Sequence, residues 1–341
     1  MNLSEQTLDP KLTFLPTNQD HTLDQNLLHQ TCQLNFAKHY NAPTQDLGDL
    51  ERLPDELIDE MLAQADLQSL FNFRHVNRRA VQIVNSIPEF KQIVKHGHLV
   101  LRAILSIRAA SHFSSIDLLR TLETRDCENC GDFAGHIYLL GCSRVCYLCF
   151  INEARYLPLT SLQVWRRFGL DRSRLKLLPR MTSLPGKYSP AERVCRRRLN
   201  LYDHDSARQA GFSLHGSQAA IDKFTADDLP SQMIRYHRRN TEYLAGISRT
   251  KPRKPTGATN TEEVDMLETN PRRFMAVVSM PWIRPKEDIP VLGFHCRGCG
   301  DGCHRPFHWR RRYTDETFQD HVQQCGQIFK DERMQRCRHS R

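Results

Sequence analysis

Two cysteine pairs, Cys127-x2-Cys130 and Cys146-x2-Cys149, are separated by fifteen residues. This spacing limits the fold of the chain more than its composition does. Each pair forms a tight knuckle that turns two thiolates to one side. Two knuckles complete a tetrahedron around zinc, with Zn–S bonds of ~2.3 Å. Gly131 follows the first knuckle and suits a positive φ there. The run His136–Leu140 has strand character and supplies a hairpin between the pairs. Cys142 lies four residues before Cys146 and can replace it. The ligand set is therefore Cys127, Cys130, Cys146 and Cys149, or one that includes Cys142. Four thiolates leave no open position for water, so such a site is structural.

A second window, VLGFHCRGCGDGCHRPFHWRRRYTDETFQDHVQQCGQIF, repeats the knuckle at Cys296-x2-Cys299. Thr314 is placed to cap a helix with Asp315 and Glu316 in its first turn. His321 and Cys325 then share one face at i and i+4. The preferred ligands are Cys296, Cys299, His321 and Cys325, with Cys303, His304 and His308 as competitors. His304-Arg-Pro-Phe-His308 is no hydrolytic H-E-x-x-H site, because Glu is absent and Pro306 breaks a regular helix. Arg305, Arg310, Arg311 and Arg312 line the loop and read as solvated charge.

Nine of the twelve cysteines fall in these windows, which favours metal over disulfides. Cys32, Cys195 and Cys337 stand alone and read as free thiols. The N-terminus MNLSEQTLDPKLTFLPTNQD has neither a basic nor an apolar signal region, and no apolar run is long enough to span a membrane. A reducing compartment, cytoplasm or nucleus, is expected.

The segment LERLPDELIDEMLAQADLQSLFNFRHVNRRAVQIVNSIPEF carries helical periodicity. Leu53, Leu57, Ile58, Met61 and Leu62 line a first helix, with Pro54 in its opening turn. Asp66 caps a second helix, which presents Leu67 and Leu70. Asn77 caps a third, and Pro88 stops it. The apolar positions of the first helix fall on adjoining stripes, more than one internal contact requires. Core packing and a helix-in-groove partner are both open on this pattern.

The string from Leu53 to Phe90 resembles an F-box, with its Leu-Pro-x-Glu-Leu opening, its short second helix and its final Pro and aromatic. The chain departs from that pattern at Asn77-Arg78-Arg79, and Ala80 stands near a position where the family often has Trp. The resemblance implies docking onto the Skp-type adaptor of a cullin-RING ubiquitin ligase. By match, the docking positions are Leu53, Pro54, Leu57, Ile58, Leu62, Leu67, Leu70 and Val76. A wider stretch, roughly 50–330, is similar to F-box proteins of filamentous fungi. It includes DCENCGDFAGHIYLLGCSRVCYLCF, LPLTSLQVWRRFGL, MTSLPGKYS and RRFMAVVSMPWI. Val145 stands where some relatives carry Cys.

The expected fold is α+β and mainly helical: a three-helix F-box, then small zinc-stabilised hairpin and knuckle-helix units. Metal knuckles are expected to stand in for a large core in the second half. The divisions are a flexible N-terminal region 1–48, with at most a short helix near Leu23–Phe36, the F-box 49–97 and a helical connector 98–124. A zinc hairpin unit 125–160 and a basic mixed region 161–248 follow, the latter with a helix after Ser189-Pro190. A linker 249–270, a strand plus knuckle-helix zinc unit 271–330 and a tail 331–341 complete the chain.

The net charge of +9 resides in Trp165–Asn200, where eleven Lys/Arg face Asp171 and Glu192. A solvated face and a nucleic-acid surface both fit this run. The chain shows no Gly-rich phosphate loop, no G-x-S-x-G and no open metal site, so it is read as a non-catalytic subunit holding two structural zinc ions. Its expected partners are the adaptor, the cullin complex and a target protein. A nucleic-acid-binding zinc protein is the alternative.

Overall fold

Short polar residues punctuate the N-terminal half as their positions predict. Asp66 accepts from the Ser69 N–H at 2.9 Å, and Asn77 from the Ala80 N–H at 2.9 Å. These caps separate the helices Asp55–Gln64, Leu67–Arg74 and Arg78–Ser86. Pro88 stops the third helix, since the residue before a proline is kept out of the helical region and Ile87 has ψ 121°. That helix ends at Ser86, and Pro88 opens the next, Pro88–His96, at a position where its missing N–H costs nothing. His98–Ser106 and Ser115–Glu123 follow, the latter under a reciprocal Ser114–Asp117 capping box. The computed structural model describes residues 12–16, 19–27, 46–247, 249–252, 267–285, 287, 289–302, 307–331 and 336–340.

The cysteine hairpin forms as read, from strands His136–Tyr138 and Ser143–Val145. A third strand, Val277–Ser279, pairs antiparallel on the other side of His136–Tyr138. This addition buries the whole central strand. It corrects the expectation that knuckles replace a core. Leu67, Phe90 and Leu118 of the helices, Val145 and Phe150 of the hairpin unit, and Phe274 and Val277 all belong to one continuous apolar cluster.

The helix Leu23–Leu27 is part of that cluster, with Leu23 and Leu27 fully buried. Asn26 donates to the Lys187 carbonyl at 2.7 Å and accepts from the Lys187 N–H at 2.9 Å. Gly186 makes this approach possible, since a Cβ there would collide with the Asn26 side chain. Asp24 accepts from the Ser279 N–H at 3.1 Å. The segment is therefore a wedge between distant parts of the chain. Leu23→Ala is expected to cost about 2–5 kcal/mol, as for a large buried side chain whose cavity cannot collapse. Urea unfolding checks this, and a loss below ~0.5 kcal/mol would show the wedge to be peripheral.

The basic region contains a smaller core of Leu159, Val164, Phe168, Leu175 and Tyr202. Around it lie the helices Ser161–Phe168, His204–His215 and Gln218–Leu244, and a sheet with Asn200–Tyr202 between Leu159–Thr160 and Arg180–Thr182. Ser189-Pro190 does not begin a helix. It forms the turn between strands Gly186–Tyr188 and Arg193–Cys195, with Ser189 (φ 70°) and Glu192 (φ 49°) both left-handed. A helix cannot pass through two such residues. The Tyr138 hydroxyl donates to Asp203 at 3.0 Å and joins the two cores.

At the C-terminal end, His295–Cys296 pairs with Thr13–Phe14, and the helix Asp315–Cys325 is capped by Thr314. The expected tail contains a strand, Arg336–His339, which forms a hairpin with Ile328–Asp331. The linker read over 249–270 is described only at its ends. There Leu267–Thr269 forms a 3-10 turn, and Asn270 caps the helix Pro271–Met275. Cys32, Cys303, His304 and Arg305 lie outside the described residues. The described chain is α+β with helix predominating, as expected.

Candidate metal centres and an exposed helical face

The hairpin brings Cys127, Cys130, Cys146 and Cys149 together, with the four sulfurs within 4.8 Å of one another. Cys130 and Cys146 are 3.6 Å apart, far beyond the ~2.05 Å of a disulfide. A tetrahedron with metal–sulfur bonds of ~2.3 Å has edges of ~3.8 Å, so the spacing fits four thiolates around one ion. Hydrogen bonds among the thiols hold Cys127 below the ordinary range and push Cys146 and Cys149 above it, so the four titrate as one coupled set. Cys142 is not in the group. It meets Thr121 instead (Sγ to Oγ1, 3.4 Å), and burial raises its thiol to about 11.

The second cluster differs from its expectation. The structure gathers Cys296, Cys299, His321 and His339. His339 Nε2 lies 3.2 Å from the Cys296 sulfur and 3.4 Å from that of Cys299, while His321 Nε2 lies 3.5 Å from Cys299. The S–N edge of a tetrahedral site is ~3.6 Å. His339 Nδ1 lies 2.7 Å from the Gly326 carbonyl, which can only accept. That bond places the proton on Nδ1 and leaves the Nε2 lone pair aimed at two sulfurs. This is the second-shell pattern of a metal-bound imidazole. Hydrogen bonds from Cys299, followed by His321, bring the Cys296 thiol down to about 4. Cys325 falls in a separate group with His308 and His321. The fourth donor comes instead from the C-terminal hairpin. The alternation in Arg-Cys-Arg-His, residues 336–339, is the strand signal that could have pointed to it.

The loop arginines are not solvated as expected. Arg310 is buried, pairs with Asp20 and lies 3.7 Å over the Tyr147 ring. Arg311 pairs with Asp132 at 2.8 Å beside the first cluster. Burial lowers the Arg312 guanidinium to about 10. Together they join the C-terminal unit to the hairpin unit. His136 is fully buried in the same region. Burial first, then Arg312 and Arg310, hold its ring well below the usual histidine range, so it is neutral.

The predicted docking residues divide in two. Ile58, Leu67 and Leu70 are buried in the chain's own interior, and Leu62 is half-buried against the core. Leu53, Leu57 and Val76 are exposed by 36 %, 48 % and 66 %. Pro54 is exposed beside them, and Met61, one turn beyond Leu57, is 58 % exposed. Arg79 bonds Glu51 at 3.0 Å and Asp55 at 3.2 Å, which brings the Val76 turn beside the start of the first helix. The result is an apolar face on a helix that begins just after Leu53-Pro54.

Compared with known proteins, the chain matches no family model, no curated protein and no solved structure. None of the described helices is long and apolar enough to cross a membrane.

Proposed function

We propose that the chain is an F-box substrate receptor of a cullin-RING ubiquitin ligase. The uncovered face of Leu53, Leu57 and Met61 docks on the Skp-type adaptor, and two zinc ions brace the part that presents a target. The observation that carries this reading is that face. Leu53 of the Leu-Pro opening, and Leu57 and Met61 one turn apart on the helix that follows it, stay in solvent while their neighbours Ile58 and Leu62 pack inward. A helix laid into a partner's apolar groove uses such a row. The receptor itself breaks no bond; it acts by holding a target near the conjugating enzyme. Both four-donor clusters are closed sets and serve shape.

The test is co-purification with a Skp-type adaptor. Leu57→Asp with Met61→Asp is expected to weaken binding at least about 100-fold, because two carboxylates would enter an apolar groove. Stability should change by no more than ~0.5 kcal/mol, since both side chains are exposed. Full binding by the double variant would overturn the proposal. Leu62→Asp is unsuited to this test, because it would also break the core.

A second reading, nucleic-acid binding, is favoured by one observation: Arg193, Arg196, Arg197 and Arg198 all have exposed side chains. It expects steeply salt-dependent binding to DNA or RNA. No binding at ~50 mM salt removes it.

A further inference from the structure

The C-terminal cluster offers more donors than one tetrahedral ion takes. Beside Cys296, Cys299, His321 and His339 there is a second group, His308, His321 and Cys325, whose donor atoms also lie within 4.8 Å of one another. His321 belongs to both. It is buried and stacked on Tyr313, with centroids 4.4 Å apart, so its position is fixed by packing.

The competing fourth donors are held differently. His339 is on the hairpin Ile328–Asp331/Arg336–His339 and reaches across the knuckle, so close to Gly298 that a Cβ there would meet its ring at 2.8 Å. The hairpin's seat depends on Gly326, whose φ is +89° and where a Cβ would collide with the Ser340 carbonyl. Cys325 is on the same helix as His321, one turn further on. It stays near His321 wherever the hairpin goes.

We propose that Cys325 is the reserve fourth ligand of this centre, so that the C-terminal hairpin is a releasable clasp pinned by His339. This rests on the zinc reading above. In the exchange the metal–Nε2 bond to His339 breaks and a metal–Sγ bond to Cys325 forms. The Cys325 thiol proton leaves to solvent. The centre keeps its ion and changes from two thiolates and two imidazoles to three thiolates and one.

Cobalt(II) loaded into the full-length chain reads the change, since thiolate-to-cobalt charge-transfer absorption grows with the number of bound sulfurs. The wild type is expected to hold two ions per chain with six thiolates, four in the first cluster and two in the second. Mass-mapped iodoacetamide should label Cys325 and spare Cys296 and Cys299. His339→Ala should keep two ions, gain the absorption of a seventh thiolate and protect Cys325. His339→Gln serves if the alanine variant does not fold. Adding Cys325→Ser to either should leave one ion per chain. The proposal is overturned if Cys325→Ser alone lowers the absorption or if Cys325 is protected in the wild type. It also fails if the His339 variants lose the ion, or keep it without gaining absorption, as they would if His308 stepped in. Fewer than two ions in the wild type defeats the zinc reading instead, which separates the two failures.

Discussion

Replacing Cys146 by serine is expected to remove one metal ion from the chain and to unfold most of it. A structural zinc site contributes on the order of 10–16 kcal/mol of apparent binding energy in small peptides. Whole domains have a net stability of only about 5–15 kcal/mol. Here the site is not isolated. Cys146 and its neighbours Val145 and Tyr147 belong to the same apolar cluster as the N-terminal helices. Loosening the knuckle therefore frees the hairpin and exposes the helices packed on it. Metal content, circular dichroism and a thermal scan check the outcome. A variant that keeps two ions and its melting temperature would show that the cluster does not hold the fold. Cys142→Ser is the control and should keep both ions, because Cys142 meets Thr121 rather than the other sulfurs.

The second large effect is expected at Arg144, which is fully buried in the hairpin. Its guanidinium donates to five carbonyls: Thr121 (2.9 Å), Leu122 (3.0 Å), Ala134 (3.3 Å), Met280 (2.6 Å) and Pro281 (2.6 Å). Thr121 and Leu122 lie in the last turn of Ser115–Glu123, where carbonyls lack helical partners and a cation is favourable. Burial first, then the nearby Arg312 charge, pulls the guanidinium down to about 9, so it is still charged at neutral pH. Arg144→Met would remove every donor and leave the carbonyls dry. Each unpaired carbonyl costs ~1–3 kcal/mol, and relief from burying the charge offsets part of the sum. A net loss of about 3–5 kcal/mol is expected, and Arg144→Lys should rescue little, because an ammonium has only three donors. Chemical denaturation of both variants measures this, and a loss below ~1 kcal/mol for the methionine variant would refute it.

Local signals in this chain were legible and distant ones were not. Asp66, Asn77 and Thr314 cap the helices their positions announce, because a cap needs only its own next three residues. The first cysteine set is the one its spacing favours, because both knuckles and the hairpin between them are contiguous. Arg144, by contrast, looks like an ordinary charged residue between Ser143 and Val145. Its carbonyl cage exists only after the helix, the hairpin and residues 280–281 have met. Asp20 and Arg310 pair across most of the chain's length, and the local run of basic residues around Arg310 pointed to solvent instead. His339 escaped for a similar reason. The i, i+4 rule finds Cys325 on the helix, whereas His339 arrives through a strand pairing that periodicity cannot place. The positions predicted to dock divided because the F-box resemblance marks apolar residues without saying which of them the chain covers itself.

The third strand of the central sheet also sets a schedule for synthesis. His136–Tyr138 finds its second partner in Val277–Ser279, which the ribosome makes much later. At ~5–20 residues per second the wait is on the order of 10 s. During that interval the strand's outer edge stands open to any other extended chain. The four sulfurs beside it are complete by Cys149, so they are the local means of holding the nascent hairpin in register. On the zinc reading, metal supplied while the chain is being made is expected to give more folded copies than the same metal supplied afterwards.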